Sequence, residues 1–168
     1  MNISMYQASA PRFANTLKNL AAILDKAKTH AAGKKIDEQV LTSSRLYPDM
    51  FALARQVQIA CDTAKGAVTR LAGVEIPKHE DSEKTFDELK ERIAKTLAFI
   101  ATVNAAQIDG TEDKEIVLKL QGKDVPSKGM QYLLGRAWPN FFFHVTTAYN
   151  ILRHNGVEIG KGDFIGTP

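Results

Sequence analysis

The stretch from Pro139 to Gly156, PNFFFHVTTAYNILRHNG, decides the reading of this chain. Taken as a helix with Val145 at the centre of its inward face, it brings Phe141, Phe142, Ala148, Tyr149 and Leu152 close to that direction. His144 falls on the flank, in a row with Phe141, Ala148 and Ile151, so it is expected at least half buried among apolar and aromatic groups. A buried imidazole needs a hydrogen-bond partner or a metal to offset its lost hydration. Asn140 shares the row of His144. Pro139 removes a backbone donor, frees the carbonyl of Gly135, and should kink this helix or mark its start. Gly156 is placed to stop it in a left-handed cap.

Outward from that helix, three more amphipathic segments follow the same rule. Phe13, Leu17, Leu20, Leu24 and Ala27 mark a first helix over about Ser9 to Ala31, with Pro11 tolerated in its first turn. A polar connection, with room for one short helical turn, leads to LYPDM. Met50, Leu53, Val57, Ala60, Ala64, Val68 and Leu71 mark a second helix, ended by Gly73. A third begins at Thr85, where TFDE has the form of a capping box, and carries Phe86, Leu89, Ile93, Leu97 and Ile100. The charges of its DELKERIAK segment read as a solvated face. EIVLKLQGKDVP alternates from Ile116 to Leu120 and turns at Gly122, which predicts a small hairpin before the fourth helix, itself running from about Ser127 to Asn155.

The link GVEIPKHEDSEK, between the second and third helices, could reach ~40 Å when extended. A helix of the lengths above spans ~35 Å. The link could therefore return along the bundle and make those two helices parallel, or make a short hop. A four-helix bundle with one crossover is the architecture this implies.

Composition bounds the function. The 168 residues suit one domain, residues 1–168, and 44% apolar with 24% charged side chains is ordinary for a soluble globular chain. The net charge of +3, from 22 basic and 19 acidic residues, lacks the basic stripe a nucleic-acid partner requires. Cys61 is the one cysteine, which excludes an intramolecular disulfide and a cysteine-built zinc cage. The beginning of the chain lacks the pattern of a signal peptide, and no apolar run approaches the ~20 residues of a membrane span. These features point to a cytoplasmic protein with no membrane partner.

His144, Leu152, Arg153 and Gly156 fall at the spacing of the closing helix of the DinB/YfiT-like superfamily. Nearly the whole chain is similar to a DinB-like bacterial family of unknown function. LYPDMFALARQVQIACDTAKG and PNFFFHVTTAYNILRHNGVEIGKGDF are its most recognisable stretches. The resemblance implies an all-α, up-down-down-up four-helix bundle, here with a small β-hairpin between helices three and four. It also implies, in many members, a metal held by one histidine of helix two and two of helix four, and in some a thiol-transferase or hydrolase activity.

Residue by residue, only His144 matches that ligand set. Asn140 replaces the first histidine of the helix-four pair, and helix two offers Gln56 and Gln58, Gln56 being favoured by its place beside Ala60 and Ala67. Amides are weak ligands for zinc, nickel or iron. No cofactor is therefore expected, and a divalent zinc or nickel ion, if held at all, would sit on His144. The reading is a small-molecule-binding or vestigial-enzyme bundle with a degenerate metal site and a pocket at His144 shaped by Asn140, Gln56, Gln58 and Phe141. No catalytic residue is assigned. One alternative is a metal-dependent thiol transferase or hydrolase whose coordination is completed by water, a carboxylate or a second subunit. The other is a structural or homodimer-forming module with a closed core, to which the aromatic residues around 138–143 would contribute.

The remaining polar residues carry blander expectations. Cys61 reads as a small hydrophobe rather than a nucleophile paired with His144. Asp62 and Lys65 read as a surface pair. His154 complements the helix end, Arg153 caps carbonyls there or holds the tail, and His30 and His79 lie in polar connections. The tail GVEIGKGDFIGTP reads as an extended strap anchored by Ile159, Phe164 and Ile165.

Overall fold

The structure is a computed structural model that describes residues 3–166. Four long helices carry it. α1 (Ala10–Lys34) has Pro11 in its first turn, buries Phe13, Leu17, Leu20, Leu24 and Ala27, and runs past Ala31 to a left-handed Lys35. The short α2 (Glu38–Thr42) is capped by Asp37, whose carboxylate accepts from Gln39 N–H at 2.8 Å. α3 (Leu53–Ala72) begins three positions after the expected Met50, because Met50 N–H is taken by the Tyr47 carbonyl in a turn. It ends at Gly73, whose φ of 72° is left-handed.

The link after Gly73 contains no helix, and α4 (Phe86–Ala101) opens on the capping box formed by Thr85 and Glu88. A short α5 (Ala105–Ile108) leads to β1 (Glu115–Leu120) and β2 (Lys123–Lys128), an antiparallel pair with Leu120 opposite Lys123. Gln121 and Gly122 both have positive φ, 50° and 78°, as a two-residue hairpin turn of matching twist requires.

The last long helix is continuous through three segments. α6 (Gly129–Tyr132) passes into a π-helical turn (Leu133–Ala137) and then α7 (Trp138–His154). The helix neither starts at Pro139 nor breaks there. In the wide turn before it, Trp138 N–H donates to the Leu133 carbonyl, five residues back, so the missing Pro139 donor is absorbed by a change of pitch. A short α8 (Lys161–Ile165) closes the chain, correcting the expected extended strap. Lys26 pairs with Asp163 at 2.6 Å, and Asn19 Nδ2 donates to the Ile165 carbonyl at 2.8 Å. Ile159 is buried, whereas Ile165 is 58% exposed and anchors nothing.

α3 packs against α7 and α4, and α1 packs against α4 and α8. At one point of the core Phe13 stacks on Trp138 at 4.7 Å and meets Phe141 edge-on at 4.9 Å. Phe142, expected near the core direction, is instead 38% exposed and stacks on the outer face of Trp138. Of three consecutive phenylalanines on a helix, one can point inward, and Phe141 does. Among the described residues no helix is long and apolar enough to cross a membrane.

Candidate functional site

The contact between α3 and α7 carries a row of polar pairs. His144 is 7% exposed, and its Nδ1 lies 2.6 Å from Oε1 of the buried Gln56. Gln56 is held in turn, because its Nε2 donates to the Phe51 carbonyl at 3.0 Å. That second bond fixes the amide with its oxygen toward His144, so Nδ1 carries the proton and donates. Nε2 of the ring has no protein partner among the described residues and is not sealed from solvent. Burial, assisted by the positive charge of Arg55, pushes the His144 pKa below its ordinary value. The result is a neutral imidazole with a bare, oriented acceptor nitrogen.

The other predicted residues separate. Asn140 Nδ2 donates to Thr63 Oγ1 at 2.7 Å, about two turns along α3 from Gln56. Gln58 points away from His144, donating to Glu83 Oε2 at 2.9 Å and accepting from Arg55. Two residues beyond Gln56 on a helix is well over half-way to the opposite face, so only one of the two glutamines can meet α7. Phe141 is fully buried against Phe13 and Trp138. His144 and Gln56 are thus brought together, Asn140 stands beside them with its own partner, and Gln58 and Phe141 belong to other contacts.

A zinc or nickel ion does not suit this donor set. Gln56 offers its oxygen to the His144 N–H, Asn140 is engaged by Thr63, and both are amides, the weakest class of ligand for these metals. Among the described residues no three His, Cys, Asp or Glu side chains stand close enough to share an ion. Cys61 is fully buried and turned to Thr96 of α4, and desolvation pushes its thiol up to about 12, the reverse of an activated nucleophile.

One cluster lay outside the residues singled out from sequence. Arg92 of α4, expected on a solvated face, is among the most deeply buried side chains of the protein. Its guanidinium contacts Asp62 at 2.9 Å, Asp81 at 3.1 Å and Glu83 at 3.0 Å, and donates to the Glu80 carbonyl at 2.9 Å. Burial opposes its charge, but Asp62 and Glu83 outweigh that and raise its pKa. Lys65, expected at the surface, is buried as well; it reaches Asp62 at 3.0 Å and lies 3.5 Å from His79 Nδ1. The His79 pKa is lowered by burial and by Lys65. Part of the signal was present: Arg92 sits three residues after Leu89 and one before Ile93, inside the apolar stripe, and the preceding link supplies Asp81 and Glu83. This network ties the link to α3 and α4.

Against known proteins, residues 5–165 match the family model described as a domain of unknown function, DUF1993. A crystal structure of a DinB family member protein from Shewanella denitrificans is 47% identical, covers 97% of this chain and 92% of its own, and superposes with a TM-score of 0.90. No curated protein matches. The chain therefore belongs to the DUF1993 family of DinB-like proteins, mostly helical with one small antiparallel hairpin.

Proposed function

We propose that the protein is a small-molecule-binding bundle with a degenerate metal centre, in which His144 serves as an oriented hydrogen-bond acceptor rather than a metal ligand. The observation that carries this is the chain Phe51 carbonyl, Gln56 amide, His144 Nδ1, which leaves Nε2 as the free atom. An imidazole held in this way by a carbonyl-type oxygen can act as a ligand acceptor without a charged partner. The bundle is read as up-down-down-up. Ion pairs Lys28–Asp87 and Asp25–Lys90 join the end of α1 to the start of α4, and Gln58–Glu83 joins the start of α3 to the residues just before α4. Gln56–His144 and Arg70–Tyr132 run in opposite order along α3 and the last helix. That course would place the histidine at the junction of the two helices from which metal-binding relatives draw their ligands.

The test is elemental analysis by plasma mass spectrometry of untagged protein, before and after loading with zinc or nickel and dialysis, with His144→Ala alongside. The reading predicts metal far below one equivalent in every sample. Near-stoichiometric metal that disappears in His144→Ala would contradict it and favour the metalloenzyme alternative.

A second reading, of a homodimer, is favoured by one observation. Met130, Leu134 and Phe142 recur along one edge of the last helix, 39%, 53% and 38% exposed. Sedimentation velocity tests it, with a dimer expected and a monomer at tens of micromolar contradicting it.

A further inference from the structure

A second polar site lies beside the Asn140–Thr63 pair. Residues of α3, β1 and the π-helical turn enclose a cleft of about 440 Å³, within the range of ligand sites of roughly 300–1,000 Å³. Its charge is unbalanced. Arg70, Lys119 and Arg136 line it, with Asp62 the one acid, and Asp62 is already shared by Arg92 and Lys65. Among the described residues neither Lys119 nor Arg136 has an acidic partner, and Arg136 is exposed to the cleft.

Arg70 is aimed rather than free. Its Nη1 donates to the hydroxyl of Tyr132 at 3.3 Å, and its guanidinium carbon stands 5.9 Å from the centre of that ring. Tyr132 is 4% exposed; its oxygen accepts from Arg70, while its own O–H has no acceptor among the described residues. Gly66, in the middle of α3, makes the pose of Arg70 possible: a Cβ there would fall 2.5 Å from Arg70 Nη1. Glycine is less favourable than alanine in a helix interior, and here its missing side chain leaves the room that the guanidinium occupies. Val117, Leu118 and Ala137 add an apolar wall.

We propose that this cleft binds a small organic oxyanion, a carboxylate or phosphate whose head is held by Arg70, Arg136 and the Tyr132 hydroxyl and whose short apolar body lies against Val117, Leu118 and Ala137. Planar guanidinium groups supply paired donors that match either head. Lys119 adds charge at the rim. The site does not depend on His144.

Isothermal titration of the full chain at low salt with benzoate, phenyl phosphate and inorganic phosphate tests the assignment. The expected result is saturable binding of benzoate or phenyl phosphate at least tenfold tighter than inorganic phosphate, the preferred head telling carboxylate from phosphate. Arg136→Gln, at an exposed position with no hydrogen bond or ion pair of its own among the described residues, should weaken it at least tenfold. Gly66→Ala should do the same while keeping every charge, and His144→Ala should leave it unchanged. Absence of saturable binding by the wild-type protein would overturn the proposal. So would wild-type affinity in both Arg136→Gln and Gly66→Ala, which would place the binding outside this cleft, or a loss in His144→Ala equal to that in Arg136→Gln.

Discussion

Gln56 Oε1 stands 2.6 Å from His144 Nδ1, and both side chains are buried between α3 and α7. The bond fixes the tautomer, with Nδ1 protonated and already used, while burial keeps the ring neutral. It has a consequence for stability as a function of pH. The folded-state pKa of His144 is lowered, chiefly by burial, so the unfolded chain takes up the proton more readily. The contribution is fully present above about 6.5, the unfolded value, and is lost as pH falls from there through the folded pKa. His79 shifts in the same direction. Denaturant unfolding between pH 7.5 and 5 should show stability falling with acid, with a shallower slope in His144→Gln. An unchanged slope in that variant would assign the effect elsewhere.

Arg92 should be the most sensitive charged residue. Its removal leaves Glu83 largely buried without its cation and opens a cavity in the core. Breaking a buried ion pair costs about 3–5 kcal/mol, and because Asp62 and Asp81 keep 40% of their side-chain surface in water, Arg92→Ala should fall near the lower end. Arg92→Lys should recover little, since one ammonium cannot span three carboxylates and a carbonyl. Urea unfolding of the two variants measures this, and a loss below about 1 kcal/mol in Arg92→Ala would show the network to be dispensable.

Gly129 joins β2 to the last helix at a place with no room for a side chain. A Cβ there would lie 2.0 Å from the Thr111 carbonyl oxygen, while Met130 N–H donates to the Glu112 carbonyl at 2.9 Å. Backbone on both sides must move to admit even a methyl group. Gly129→Ala is expected to cost about 2–3 kcal/mol, the upper part of the range for overpacking. Thermal unfolding checks it, with Gly135→Ala, a helical position where nothing lies within 4 Å, as the control expected to be neutral or stabilising.

Cys61 should be inert in the folded protein. It is fully buried, and desolvation raises its thiol to about 12. Ellman's reagent at pH 8 should leave it unmodified for hours under native conditions and react within minutes in denaturant. Fast native reaction would revive it as a nucleophile.

The parts of this structure legible from sequence are those decided locally. The Thr85–Glu88 box, the turn at Gly122, the Gly73 cap and most of the inward stripes depend on residues a few positions apart and are found as read, Met50 and Phe142 being the exceptions. The pairing of His144 with Gln56 rather than Gln58 follows from helical phase alone. What escaped was decided across long separations. The stripe places Arg92 on the inward face, but the convergence of Asp62, Asp81 and Glu83 on it from another helix and a link is set only by folding. Phe142 is a local exception: with Phe141 turned inward it lies on the outer edge of the helix, stacked on Trp138 four residues before it. The cationic cleft is assembled from α3, a hairpin and a π-helical turn, three elements whose mutual placement is set only by folding.

The protonation state of the His144 ring decides between an oriented acceptor and a metal ligand. Long-range proton–nitrogen correlation spectra of ¹⁵N-labelled protein, with His144→Gln to assign the signals, report which ring nitrogen carries the proton across a pH series. The account predicts a single neutral form at pH 7.5, protonated at Nδ1 and bare at Nε2, titrating below 6.5 and unmoved by added zinc. A ring protonated at Nε2, a titration above 6.5, or a zinc-dependent shift of its free nitrogen would contradict it.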